Sequence, residues 1–154
     1  MAAGASAAAP PPAGLPQTQP VPDAHPYDTA QDADATVAAA LDRAKRDNKL
    51  VLIDLGANWC PDCRMLSGVL AMPDVKPWVS SRFETVMVDV DRFNHNMDVP
   101  ARYGVKVKQI PTLLVVTPDG RLLNADGTLT LGDARHMTPQ ADVDLLASWA
   151  ARAS

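Results

Sequence analysis

The stretch Leu50-Val51-Leu52-Ile53-Asp54-Leu55-Gly56-Ala57-Asn58-Trp59-Cys60-Pro61-Asp62-Cys63 decides how the chain must fold. Its first six residues are branched and nearly continuous in apolar character, which is the pattern of a strand covered on both faces. The two cysteines lie three residues apart where that strand gives way to a helix, expected from Cys60 to about Met72, with Pro73 as its breaker. Upstream, Val37, Leu41 and Ala44 recur at helical spacing opposite Arg43, Lys45, Arg46 and Asp47, so a helix precedes the strand, with Asp34 as a candidate N-cap.

Downstream, Asp74 is placed to cap a segment running through Val79, with Pro77 in its first turn. Thr85 to Val90 alternates as a second strand, and residues 98 to 103 form a short helix closed by Gly104. Leu113 to Val116 is a third strand. Pro118-Asp119-Gly120-Arg121 signals a turn, returning Leu122-Leu123 as an antiparallel partner. Thr138-Pro139 starts a last amphipathic helix through Val143, Leu146 and Trp149. Strands alternating with helices and closed by a hairpin imply an α/β domain with a mixed sheet and helices on both faces.

Residues 1–30 differ in kind. Seven of the 14 prolines and no Lys or Arg fall within the first 27 residues, so this Ala/Pro-rich part is expected to be a disordered tail or tether, leaving 31–154 as the domain. The start has neither the basic nor the apolar region of a signal peptide. An exported, periplasmic protein whose leader is absent from this chain is the favoured expectation, and a cytoplasmic one the alternative. A net charge of −4 disfavours nucleic acid as a partner. No apolar run reaches the roughly 18 residues of a membrane span. A monomer is expected.

The chemistry gathers around the cysteine pair. A cysteine at a helix N-terminus faces free backbone N–H groups and the positive end of the helix dipole, which favour thiolate, so Cys60 is the expected nucleophile. Cys63, one turn deeper, is the resolving thiol. Asp54 lies in a strand that otherwise reads as core; a buried carboxylate there has a raised pKa and can exchange the proton that the resolving step moves. Half a zinc site is the competing reading, but two further thiolates do not exist. His25 lies in the tail, and neither His95 nor His136 pairs at helical spacing, so no metal is expected. A merely structural disulfide gains little, because so short a loop has little closure entropy. Pro111, in Ile110-Pro111-Thr112, precedes a strand where proline is poorly tolerated within and can instead form a cis bond.

Trp-Cys-x-x-Cys after a strand, an Asp six residues before the first Cys, and Ile-Pro-Thr nearly fifty residues after it together resemble the thioredoxin family, over about Ala35 to Ser154. The resemblance implies a thioredoxin fold with a central mixed sheet of four to five strands. It implies that Cys60 attacks, Cys63 resolves, and Asp54 is the buried acid. Trp59 then shields the motif, Pro111 is the cis-proline beside the sulfurs, and Ile110 pairs its backbone with a bound chain; with Pro61 and Asp62 these form the substrate-binding set. The implied activity is thiol–disulfide oxidoreduction without organic cofactor or metal. The partners are a disulfide-containing protein and a membrane or soluble thiol donor.

Several residues depart from cytosolic thioredoxin. Pro61-Asp62 replaces Gly-Pro; Gly56 and Asn58 replace larger or acidic residues; Met87 stands where a lysine often accompanies the buried acid. Asn94, His95 and Asn96 lengthen one loop, and two extra residues within Lys106 to Gln109 another. The run from Leu66 to Val75 is similar to exported thioredoxin-like domains, above all the C-terminal domain of the membrane-bound bacterial disulfide reductase. The Asp62 charge opposes thiolate formation, with Arg64 as its expected counter-charge, and so favours a reductase. A disulfide oxidase or isomerase, and a thioredoxin-fold metal-binding or assembly module, are the alternatives.

Overall fold

A computed structural model describes residues 9–153. Five α-helices and three strands follow one another as α1 (Ala33–Asp47), β1 (Leu50–Gly56), α2 (Pro61–Leu70), α3 (Lys76–Arg82), β2 (Phe83–Asp89), α4 (Asp98–Ala101), β3 (Thr112–Val116) and α5 (Pro139–Ala150). Short 3-10 turns cover Thr130–His136 and Ala151–Ala153. The strand order is β2-β1-β3, with β1 parallel to β2 and antiparallel to β3. The sheet is mixed, as the alternation of elements requires.

The expected four to five strands are three among the described residues. The missing partner is the return through Leu122-Leu123, which makes a single bridge from Leu122 to Val116. The reason is local. The backbone N–H of Leu123 reaches Val115 O (2.8 Å). The fully buried side-chain amide of Asn124 then takes over, accepting from Val115 N (2.9 Å) and donating to Leu113 O (2.9 Å). Thr128 O accepts from Leu113 N, and Arg121 O from Thr117 N. An irregular segment with one side-chain amide thus satisfies the outer edge of β3, where unpaired buried backbone groups would be costly.

Cap chemistry also corrects the expected boundaries. Asp32, not Asp34, caps α1 by accepting from Ala35 N, and Asp34 instead pairs with Arg102 (2.7 Å). Asn48 closes α1 with φ 55°. α3 starts after Val75 with no side-chain cap, so Asp74 does not serve it. Thr138 caps α5 as expected, accepting from Ala141 N.

Two buried clusters cover the sheet. Leu50, Leu52, Leu113 and Val115 meet α2, α3 and α5 through Leu66, Trp78, Leu146 and Trp149. Val51, Ile53, Leu55, Val86 and Leu114 meet α1 and α4 through Val37, Ala40, Ala44 and Val99. Because strand side chains alternate, Asp54 and Gly56 point to the same side as Leu50 and Leu52.

The N-terminal segment departs from the disordered tether expected over 1–30. Residues 1–8 lie outside the described residues. From residue 9 onward the chain has no helix or strand before α1, which its prolines explain, yet it is seated on the domain. Gln140 holds it twice, donating to Pro12 O (2.9 Å) and accepting from Leu15 N (3.2 Å). Gln19 donates to three carbonyls, of Ala134, Arg135 and Met137. Asp23 N donates to Arg64 O (3.0 Å), the Asp23 carboxylate accepts from Ser67 Oγ, and Val21 O lies over Gly68. The segment ends with Tyr27 only 3% exposed, so side-chain hydrogen bonds supply the anchoring that apolar burial alone would not.

Candidate active site

Cys60 is the N-cap of α2. Its Sγ accepts from the backbone N–H of Cys63 (3.2 Å), and its thiol points to Ile110 O (3.7 Å). Pro61 occupies the first turn, where its missing N–H costs nothing. Both cysteines are reduced and buried, Cys63 completely. Hydrogen bonding from the Cys63 thiol pulls the Cys60 pKa below its ordinary value, helped by the Cys63 backbone N–H and opposed by burial and the Asp62 charge. Cys63 moves the other way, pushed up by its bond to Cys60, then by burial, then by the Asp54 charge. The two sulfurs are thereby made unequal, Cys60 easier to ionise and Cys63 harder.

Asp54 sits fully buried in the middle of β1, with Met87 of β2 and Leu113 of β3 beside it in register. Burial raises its pKa to about 7, against the lowering effect of a hydrogen bond from Tyr27. That bond runs from the Tyr27 hydroxyl to Asp54 Oδ1 (2.6 Å), while Oδ2 has no partner among the described residues.

Tyr27 was not among the residues expected from sequence. One signal pointed to it: it is one of only two tyrosines, standing in a proline-rich stretch where an aromatic side chain has no local use. Asn58 accepts from Tyr27 N (2.8 Å) and donates to Tyr27 O (2.9 Å), clamping that residue's backbone beside the motif. Gly56 makes room for it. A Cβ there would overlap the Tyr27 hydroxyl and stand 2.6 Å from Tyr27 Cζ and 2.7 Å from Cys63 Sγ.

Trp59 is 41% exposed at the rim; its Nε1 donates to Asp91 O (3.1 Å), and the Arg92 guanidinium lies 4.2 Å from its ring centre. The lengthened loop behind it is tied to the end of β2 by His95 on Asp89 (3.0 Å) and Asn96 Nδ2 on Asp89 O (2.8 Å). Asp62 Oδ1 accepts from the backbone N–H (2.8 Å) and Nε (3.2 Å) of Arg135. Arg64, the expected counter-charge, instead donates to Asp23 O (3.1 Å), because the N-terminal segment lies across its side of α2. The Ile110–Pro111 bond is cis, and Thr112 Oγ1 fixes the turn on Gln109 O (2.7 Å). Cys60, Cys63, Asp54, Pro61, Asp62, Trp59 and Ile110-Pro111 thus lie on adjoining elements, with Cys60 in contact with both α2 and Ile110. Among the described residues no three His, Cys, Asp or Glu side chains are grouped to hold a metal ion.

Residues 32–118 match the family model described as thioredoxin-like. Thioredoxin H4 of Arabidopsis thaliana is 37% identical over 76 residues, covering 49% of this chain and 58% of that protein, so this chain spans little more than half of that relative's length. Thioredoxin of Bacillus subtilis is 35% identical over 80 residues, covering 52% of this chain and 69% of its own. Among solved structures, one described as a disulphide isomerase from Xylella fastidiosa Temecula1 superposes with a TM-score of 0.76 at 35% identity, over 80% of this chain and 95% of that one. A second, described as DsbH oxidoreductase, has a TM-score of 0.57 at 23% identity over 88% and 92% of the two chains, a likeness of fold.

Proposed function

The chain belongs to the thioredoxin-like family, and from that premise we propose that it is a thiol–disulfide oxidoreductase that reduces disulfides of partner proteins. The observation that carries this reading is the inequality of the two sulfurs: Cys60 capping α2 with its pKa lowered, Cys63 fully buried with its pKa raised. In the proposed cycle the Cys60 thiolate attacks a partner disulfide. One S–S bond forms to Cys60 and one partner thiolate leaves. Cys63 then gives its proton to Asp54 and attacks Cys60 Sγ. The Cys60–Cys63 disulfide forms and the second partner thiolate departs with the electron pair. The partner gains two electrons, and a membrane or soluble thiol donor restores the pair. Trp59, Pro61, Asp62, Ile110 and Pro111 surround the place where the partner chain would lie.

The Asp62 charge supports the reducing direction, since it raises the Cys60 pKa and so favours bonded over ionised sulfur. A second reading, disulfide isomerase, draws on the likeness to the Xylella fastidiosa protein. An exported location is part of the proposal, and cell fractionation checks it.

A Cys63→Ser variant is expected to accumulate mixed disulfides with partners, and Cys60→Ser to form none and lose turnover. Failure of Cys63→Ser to trap any disulfide-bearing protein overturns the assigned roles. Equilibration with dithiothreitol and glutathione buffers decides direction: a strongly reducing pair supports the reductase. A potential higher by tens of millivolts, where ~30 mV is about a tenfold change in the two-electron equilibrium, supports the isomerase.

A further inference from the structure

We propose that Tyr27, carried to the site by the N-terminal segment, is a positioning residue that sets when Asp54 can take the proton of Cys63, and that Gly56 and Asn58 are there to admit and hold it. The inference rests on the oxidoreductase reading and extends it to a residue outside the cysteine motif and outside residues 32–118.

The geometry assigns each residue a part. The Tyr27 hydroxyl donates to Asp54 Oδ1 at 2.6 Å, which leaves Oδ2 without a partner among the described residues. The carboxylate is fully buried, so water does not stabilise its charge. Met87 and Leu113, its neighbours in register, carry no charge to do so either. The titratable groups facing Asp54 are Tyr27 from the N-terminal segment and Cys63 from α2. Burial and then the Asp54 charge hold the phenol well above its ordinary pKa, so it stays a donor at neutral pH. A donor fixed on Oδ1 stabilises the ionised carboxylate and directs an incoming proton to Oδ2.

Three departures from the ordinary motif then have one cause. With Met87 in the strand there is no cation beside the acid, and the phenol supplies a neutral hydrogen bond instead. Gly56 lacks the Cβ that would collide with Tyr27. Asn58 grips the Tyr27 backbone on both its N–H and its C=O, which fixes the ring against Asp54.

The test follows the resolving step by stopped flow with dithiobis(nitrobenzoate). The first thionitrobenzoate leaves when Cys60 attacks, and the second when Cys63 resolves. The rate of the second release is expected to rise with pH about a midpoint set by Asp54, and Asp54→Asn to remove that rise. Tyr27→Phe should move the midpoint up by about one pH unit, slowing resolution roughly tenfold at pH ~6 while the two proteins converge at alkaline pH. Asn58→Ala, which leaves the phenol in place but frees its backbone, should move it the same way by less. The carboxyl carbon resonance of Asp54, titrated by NMR, should report the same upward shift without any turnover. A folded Tyr27→Phe protein with an unshifted Asp54 titration and an unshifted second release overturns the proposal and leaves the oxidoreductase reading intact. Absence of any second release from the unmodified protein sinks the oxidoreductase reading instead, and the NMR titration still decides the Tyr27 relation. If Asp54→Asn keeps the pH rise, Asp54 is not the proton acceptor and the proposal falls.

Discussion

Asp62, one residue before Cys63, is bound by Arg135 from 73 residues away, through both a backbone N–H and the guanidinium Nε on the same carboxylate oxygen. The contact fastens the turn before α5 to the first turn of α2, so the charge next to Cys60 is governed by a distant part of the chain. Removing the carboxylate with Asp62→Asn should lower the Cys60 pKa, since that charge raises it. Removing the cation with Arg135→Ala should raise it. Arg135 is half exposed, so solvent screens its effect, which should be the smaller of the two and shrink further in high salt. Rates of Cys60 alkylation against pH measure both, and two unmoved curves would count against the coupling.

The Cys63 thiol contributes the largest lowering of the Cys60 pKa. Cys63→Ala should therefore raise the Cys60 pKa, whereas Cys63→Ser, which keeps a donor, should raise it less. The same alkylation assay ranks the three proteins. Equal values for the Ala and Ser variants would show that the backbone N–H alone holds the thiolate.

Asp142 lies in the first turn of α5, fully buried, with neither carboxylate oxygen bonded among the described residues. Burial raises its pKa to about 7. The folded state therefore binds a proton that the unfolded chain gives up near pH ~4, so stability falls as pH rises from about 4 to about 7 and levels off above. The full difference is of order 3–4 kcal/mol. Asp142→Asn should raise the melting temperature at pH ~8 more than at pH ~5. An equal change at both pH values would show that Asp142 does not titrate with folding.

Val21 O lies 2.5 Å from where a Cβ on Gly68 would sit. Gly68→Ala must displace the N-terminal segment from α2, at a cost of about 1–2 kcal/mol, while gaining about 1 kcal/mol in helix propensity. The expected outcome is a nearly unchanged melting temperature with cleavage before α1 accelerated roughly five- to thirtyfold in limited proteolysis. Unchanged cleavage would mean that the segment does not depend on this contact.

The framework around β1 was legible because local chemistry dictated it. A continuous branched run made β1, a cysteine before a proline capped α2, and Thr138-Pro139 opened α5. What stayed hidden depended on side chains acting over long sequence distances. Asn124 replaces a strand by using its amide as backbone, which no periodicity announces. Tyr27 and Gln19 anchor a segment whose composition reads as unstructured, because a few hydrogen bonds to residues distant in sequence can fix a chain that has little apolar surface of its own. Arg135 rather than Arg64 meets Asp62 for the same reason: proximity along the chain lost to the packing of the N-terminal segment.

The amide of Asn124 also determines what the sheet offers to other chains. With the outward N–H and C=O groups of Leu113 and Val115 and the N–H of Thr117 all taken, β3 has no vacant row for a passing strand to copy. A protein proposed to handle extended, disulfide-bearing chains runs the hazard of templating them at its own margin. Here the β3 margin is closed, so an incoming chain finds no strand to extend on that side of the sheet.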